Sequence, residues 1–117
     1  MATQGQVTCG LGTSNRTFAV NLSGTVVGTG PIGYTGQLIL SATGSVTGTM
    51  TLNVNGTVTN KVNVRGTYTE GSNCMGTAAI TAGTSKMNFD FVVVNSGKEL
   101  LMLETDTNTV VSGNAQM

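Results

Sequence analysis

Apolar and polar residues alternate with a period of two along nearly the whole chain, and no segment carries a helical period. From Val46, one face reads Val46, Gly48, Met50, Leu52, Val54, and the other reads Thr47, Thr49, Thr51, Asn53. The next run sets Val58, Val62, Val64 and Tyr68 against Thr57, Thr59, Lys61, Asn63, Arg65 and Thr67. Phe18, Val20 and Leu22, and then Tyr34, Leu38 and Leu40, repeat the alternation earlier in the chain. The pattern predicts strands near 16–27, 34–41, 45–54, 57–69, 74–82, 85–94, 98–105 and 108–116. Turns are expected at "GTGPIG", "ATGS", "NG", "EGSN", "AGT", "NSG" and "TDTN". Asn55-Gly56 is the clearest hairpin signal, because both residue types accept positive φ.

Eight sequential antiparallel strands, apolar on one face and Thr-rich on the other, close most economically into an all-β up-and-down barrel. A flattened two-sheet sandwich is the competing arrangement. An outer-membrane barrel would reverse the pattern, with its apolar residues outside. No composition break or linker divides the chain, so residues 1–117 read as one domain with an irregular lead-in over 1–14.

The stretch "MNFDFVVVNSGKELLMLETD" (Met87 to Asp106) departs from simple alternation, since both of its faces turn apolar around Val92 and Val94. A two-residue turn at Ser96-Gly97 puts Phe89, Phe91 and Val93 on one face with Leu100, Met102 and Glu104. A three-residue turn over Asn95–Gly97 instead brings Glu99, Leu101 and Leu103 to that face. Either register sets one carboxylate on a Phe-lined face, where it is a rim residue or a polar anchor inside a cavity. In both registers Val92 and Val94 point to the opposite face, where apolar neighbours from the next strand would join them. Such a patch implies a partner, and a homodimer through this sheet is the expected cover.

Composition narrows the chemistry. The chain has 21 Thr and 17 Gly, no His, no Trp, and five acidic against five basic side chains. This charge-poor balance lacks the footprint of a nucleic-acid binder, and no apolar run is long enough for a membrane helix. Without His there is no Ser/His or Cys/His pair, and Asp90, Glu99, Glu104 and Asp106 show no calcium-loop spacing. Asp106 in "TDTN" reads as a turn residue. No metal site and no cofactor is expected. Glycine-rich pieces such as "GTGPIG" lack the Lys and the strand-to-helix setting of a phosphate loop. Cys9 and Cys74 are the only cysteines. In so Thr-, Gly- and Asn-rich a chain they are expected to be bridged, closing a loop of about 65 residues worth roughly 4 kcal/mol. "MATQGQVTCG" reads as a start Met on a mature N-terminus, without a retained signal peptide.

The second half resembles a group of small, uncharacterised secreted bacterial β-barrel proteins. The residues that carry the likeness are "RGTYTEGSNCMGTAAIT" and "FDFVVVNSGKELLMLETDTNTVVSGNAQ", with Cys9 and Asn15 in "CGLGTSN" as a looser match near the start. It covers residues 9–117 and is strongest over 64–117. The resemblance implies a lipocalin-like or calycin-like barrel and a secreted, periplasmic or cell-surface location, and it implies no activity. The chain departs from true lipocalins in lacking a Gly-x-Trp first strand.

Three functions are compatible with these features. The first is a secreted barrel that binds a small apolar or amphipathic ligand through Tyr34, Tyr68, Phe89 and Phe91, with Glu99 or Glu104 as the polar contact. Inward Gly48 and Gly66 and a Met-containing wall would leave room for such a guest. The second is a structural or surface-interaction module with a filled barrel. The third is a cyclase-like barrel enzyme that pairs an interior carboxylate with a tyrosine. A cavity of about 300 Å³ or more separates the first from the second.

Overall fold

The computed structural model describes residues 15–117. Eight strands follow one another: β1 (Arg16–Val26), β2 (Gly30–Leu40), β3 (Ser45–Val54), β4 (Thr57–Glu70), β5 (Met75–Ala82), β6 (Ser85–Val94), β7 (Glu99–Glu104) and β8 (Thr109–Gln116). Each pairs antiparallel with the next, and β1 pairs with β8 to close the barrel. The up-and-down barrel is therefore the fold, and the flattened two-sheet sandwich is not. Closure also pairs the two end strands, β1 and β8, whose edges an open sheet would expose.

Alternation works as the physical argument requires. Phe18, Leu22, Met50, Phe89, Leu100 and Val111 are fully buried inside, and the intervening Thr, Asn and Ser positions face outward. Asn55-Gly56 forms the β3–β4 turn with φ of 50° and 92°, the positive pair that a tight hairpin needs. Strand β2 begins four residues earlier than the alternation suggests. Gly30 pairs with Val26 and Pro31 with Thr25, so only Val27 to Thr29 remain as turn. Pro31 still accepts the Asn55 backbone N–H at 2.7 Å through its carbonyl, which lets the residue sit within a strand.

Two features correct the face assignments. The β3–β4 ladder pairs Met50 with Val62 but Leu52 with Thr59, so β4 carries an extra residue there. Lys61 takes a positive φ of 51° in this bulge. The slip turns Val58 outward, away from the face of Val62, Val64 and Tyr68, and leaves it 51% exposed. In the β6–β7 hairpin, Val94 pairs with Glu99 and Phe89 with Glu104. This is the register of the two-residue turn, built over a wider loop in which Asn95, Ser96 and Gly97 all have positive φ.

The inward glycines do not open space. A Cβ on Gly66 would lie 2.1 Å from the Ala79 carbonyl oxygen, and one on Gly48 would lie 2.0 Å from that of Gln37. These positions let strands coil and backbones approach, and the neighbouring chain takes the volume that a side chain would have filled.

Candidate functional site

Tyr34, Tyr68, Phe89, Phe91 and Glu104 are all buried inside the barrel, as their alternation implies. They do not form one site. Tyr68, Phe89 and Phe91 meet Leu38, Leu100 and Met102 around an interior cavity of only about 10 Å³. That is at most the space of one water molecule. Tyr68 donates its hydroxyl to the Ser41 carbonyl oxygen at 2.5 Å, which fastens the β2–β3 turn over this end of the core. Ser41 in turn holds the backbone N–H groups of Thr43 and Ser45 through its Oγ.

Glu99 stands apart on the outer face. Its carboxylate accepts hydrogen bonds from the side-chain amides of Asn95 at 2.5 Å, Asn114 at 3.0 Å and Gln116 at 3.2 Å. The amides of Asn114, Gln116 and Asn95 hold it below the usual carboxylate range. Glu99 is therefore a clip between the β6–β7 turn and β8, and it is not a contact inside the barrel. The three-residue turn, which would have made it one, does not form.

Glu104 takes the interior position. It is 6% exposed, pairs in register with Phe89, and keeps Oε1 buried without a hydrogen-bond partner. Burial pushes its carboxyl up to about 8, and Asp106 adds to this through a hydrogen bond and its charge. A hydrogen bond with Tyr34 acts in the opposite sense. Burial and Glu104 together push the Tyr34 phenol up to about 12. Burial pulls Asp106 upward as well, but hydrogen bonds with Glu104 and Asn88 hold it below its ordinary value. Asn88 donates both its backbone N–H (3.0 Å) and its side-chain amide (2.8 Å) to Asp106. Asp106 is thus a turn residue with a second task, linking Glu104 to the start of β6. The group can hold a proton between two carboxyls near neutral pH. The tyrosine and interior carboxylate of the cyclase-like reading do meet, and the cavity beside Phe89, the cross-strand neighbour of Glu104, holds only about 10 Å³.

Alternation reveals neither the Asp106–Glu104 contact nor the bulge at Lys61. Both depend on which turn lies against which strand end, and nothing in the local pattern encodes that.

The outer face of β5–β7 carries the apolar patch. Met75, Val92 and Leu101 form one cross-strand row. Met75, Leu101 and Leu103 are 54%, 46% and 50% exposed, while Val92 and Val94 are half-buried. A shallow groove of about 230 Å³ runs among Met75, Val92, Leu101 and Leu103. Asp90 and Glu99 are the charged residues in register with the patch, Asp90 opposite Leu103 and Glu99 opposite Val94. Cys74 is buried beside it at the entry to β5, with φ of 65°. Its expected partner Cys9 lies outside the described residues. Among those residues no three His, Cys, Asp or Glu side chains gather to hold a metal ion, and no helix is long and apolar enough to cross a membrane.

No family model matches the chain, and neither a curated protein nor a solved structure is similar to it.

Proposed function

We propose that the protein is a surface-interaction module, a β-barrel with a filled interior that acts through its exterior and pairs with a second copy through the outer face of β5–β7. The observation that carries this reading is the contrast between inside and outside. The space among Tyr68, Phe89 and Phe91 is about 10 Å³, too small for a guest, while Met75, Leu101 and Leu103 are left half exposed in one contiguous patch. A second copy suits the patch because its centre is apolar and bears no cation. A twofold axis near the Val92–Leu101 pair sets apolar on apolar, with Glu99 at the rim and Asp90 at the Leu103 end of the groove. The charge-poor, Thr- and Gly-rich composition and a cysteine count of two, the number one bridge requires, support export to a secreted, periplasmic or cell-surface location. So does the resemblance to small secreted bacterial barrels.

Sedimentation and native mass spectrometry of protein purified from its source test this reading. The expected result is a dimer with no small molecule retained. A monomer at high concentration, or a stoichiometric apolar ligand carried through purification, overturns it.

A further inference from the structure

A second surface, distinct from the β5–β7 face, is built where β4 outruns its neighbour. Strand β4 starts at Thr57, but its ladder with β5 begins only at Val64, pairing with Ala82. The Gly83 backbone N–H reaches the Asn63 carbonyl at 2.9 Å, and there the pairing ends. Among the described residues, Thr57 to Val62 therefore have no strand on the β5 side. The closed barrel keeps an open edge about 20 Å long at the usual rise per residue.

A groove of about 490 Å³ opens where this edge meets the end of β5, lined by Lys61, Val62, Asn63, Arg65, Thr81 and Gly83. Three of the five cationic side chains gather around it. Arg65 pairs in register with Thr81, and Thr81 with Lys86, so Arg65 and Lys86 flank one exposed row while Lys61 stands at the bulge. None of the three side chains has a hydrogen-bond or ion-pair partner among the described residues. No carboxylate lines the groove.

We infer that the free edge of β4 takes an added antiparallel strand from another protein, an extended segment that carries Asp or Glu on its outward positions. Backbone groups along Thr57–Val62 supply the pairing, and Lys61, Arg65 and Lys86 supply the selection for acid. A second copy of this chain fits less well. Antiparallel self-pairing of Thr57–Val62 would offer these cations no carboxylate, only Thr, Val, Asn and a second Lys61. The bulge and Lys61 are also the devices by which a strand edge resists uncontrolled pairing. The site therefore discriminates between partners by charge.

A short blocked peptide alternating glutamate with valine provides the probe, with the backbone amides of the intact protein followed by NMR. Saturable shifts confined to residues 57–65 and 81–86 are expected, weakened by added salt. Arg65→Glu combined with Lys86→Glu changes only exposed side chains and should lower the affinity roughly fivefold or more. A lysine-for-glutamate peptide and a peptide with alternate amides N-methylated should both fail to bind. Equal binding of the N-methylated peptide overturns strand addition, and equal binding of the lysine peptide overturns the acidic partner. Shifts centred on Met75, Val92 and Leu101, no shifts at millimolar peptide, or β4-to-β4 self-association of the free protein each overturn the site itself.

Discussion

Glu104 and Tyr34 meet inside the barrel although they come from β7 and β2, strands that are not neighbours in the sheet. The contact places the buried carboxyl of the described core against a phenol on one side and the Asp106 carboxyl on the other. Its electrostatic consequence is a barrel whose stability depends on one internal proton.

The direction of that dependence follows from proton linkage. The folded pKa of Glu104 is about 8, above its ordinary value of 4.5, so the folded state keeps a proton that the unfolded chain has released. This group's contribution is therefore fully present below about pH 4.5 and is lost as pH rises toward 8, by an amount on the order of a few kcal/mol. Asp106 works the other way, since its folded pKa is lowered and its contribution disappears only at acid pH. Stability should peak near the ordinary carboxylate range and decline toward pH 8. Glu104→Gln should flatten that decline and raise the midpoint of denaturant unfolding at pH 8. Parallel pH profiles for the two proteins would remove Glu104 from this role.

Much of this arrangement is legible in the residues themselves, and the rest is not, for identifiable reasons. Period-two alternation places Phe18, Tyr34, Tyr68, Phe89 and Phe91 inside, because the side chains of a half-buried strand have no other apolar destination. It also limits the interior carboxylate to Glu99 or Glu104. The register that chooses Glu104 is fixed by a loop in which Asn95 and Ser96 both adopt positive φ, an uncommon conformation for which Ser gives no signal. Val58 is misassigned by alternation because one inserted residue at Lys61 reverses every face before it. The expected cavity fails for a different reason. Inward glycine reads as missing volume, whereas at Gly66 and Gly48 it marks where the next strand's backbone fills the space.

Gly66 gives a direct measure of this effect. A methyl group there would press on the Ala79 carbonyl oxygen at 2.1 Å and the Ile80 Cα at 2.7 Å, and both are backbone atoms held by the ladder. Neither can yield by a rotamer change. Gly66→Ala should cost about 3 kcal/mol, the upper part of the range for overpacked cores. Urea denaturation checks the value. A loss within about 0.5 kcal/mol, as for a neutral surface change, would mean the strands are looser than this packing implies.

Cys9 and Cys74 are expected to be joined in oxidising conditions. Cys74 lies buried at the entry to β5, where its carbonyl oxygen accepts the Val93 N–H at 2.7 Å, so a bridge there would act on the β5–β6 ladder. Alkylation of unreduced, denatured protein should find no free thiol. Cys9→Ser should lower the unfolding free energy by about 2–4 kcal/mol. Two reactive thiols in oxidised material would exclude the bridge.

The face carrying Leu101 supplies the test of assembly. Leu101 lies in the row Met75, Val92, Leu101 and is 46% exposed, so a charge there meets water in a monomer and apolar surface in a dimer. Burying this row yields about 25 cal/mol per Å² before association costs are subtracted. A lysine at its centre both forfeits that gain and requires desolvation of an ammonium group. Leu101→Lys should therefore give a folded monomer with an unchanged β spectrum, and Val94→Lys should act in the same direction more weakly because Val94 already pairs with charged Glu99. Val27→Lys is the control: Val27 is 62% exposed in the β1–β2 turn, away from the patch, and its replacement should leave the dimer intact. Analytical ultracentrifugation over a concentration series reads all three. If Leu101→Lys sediments as the unmutated protein does, the β5–β7 face is not where two copies meet.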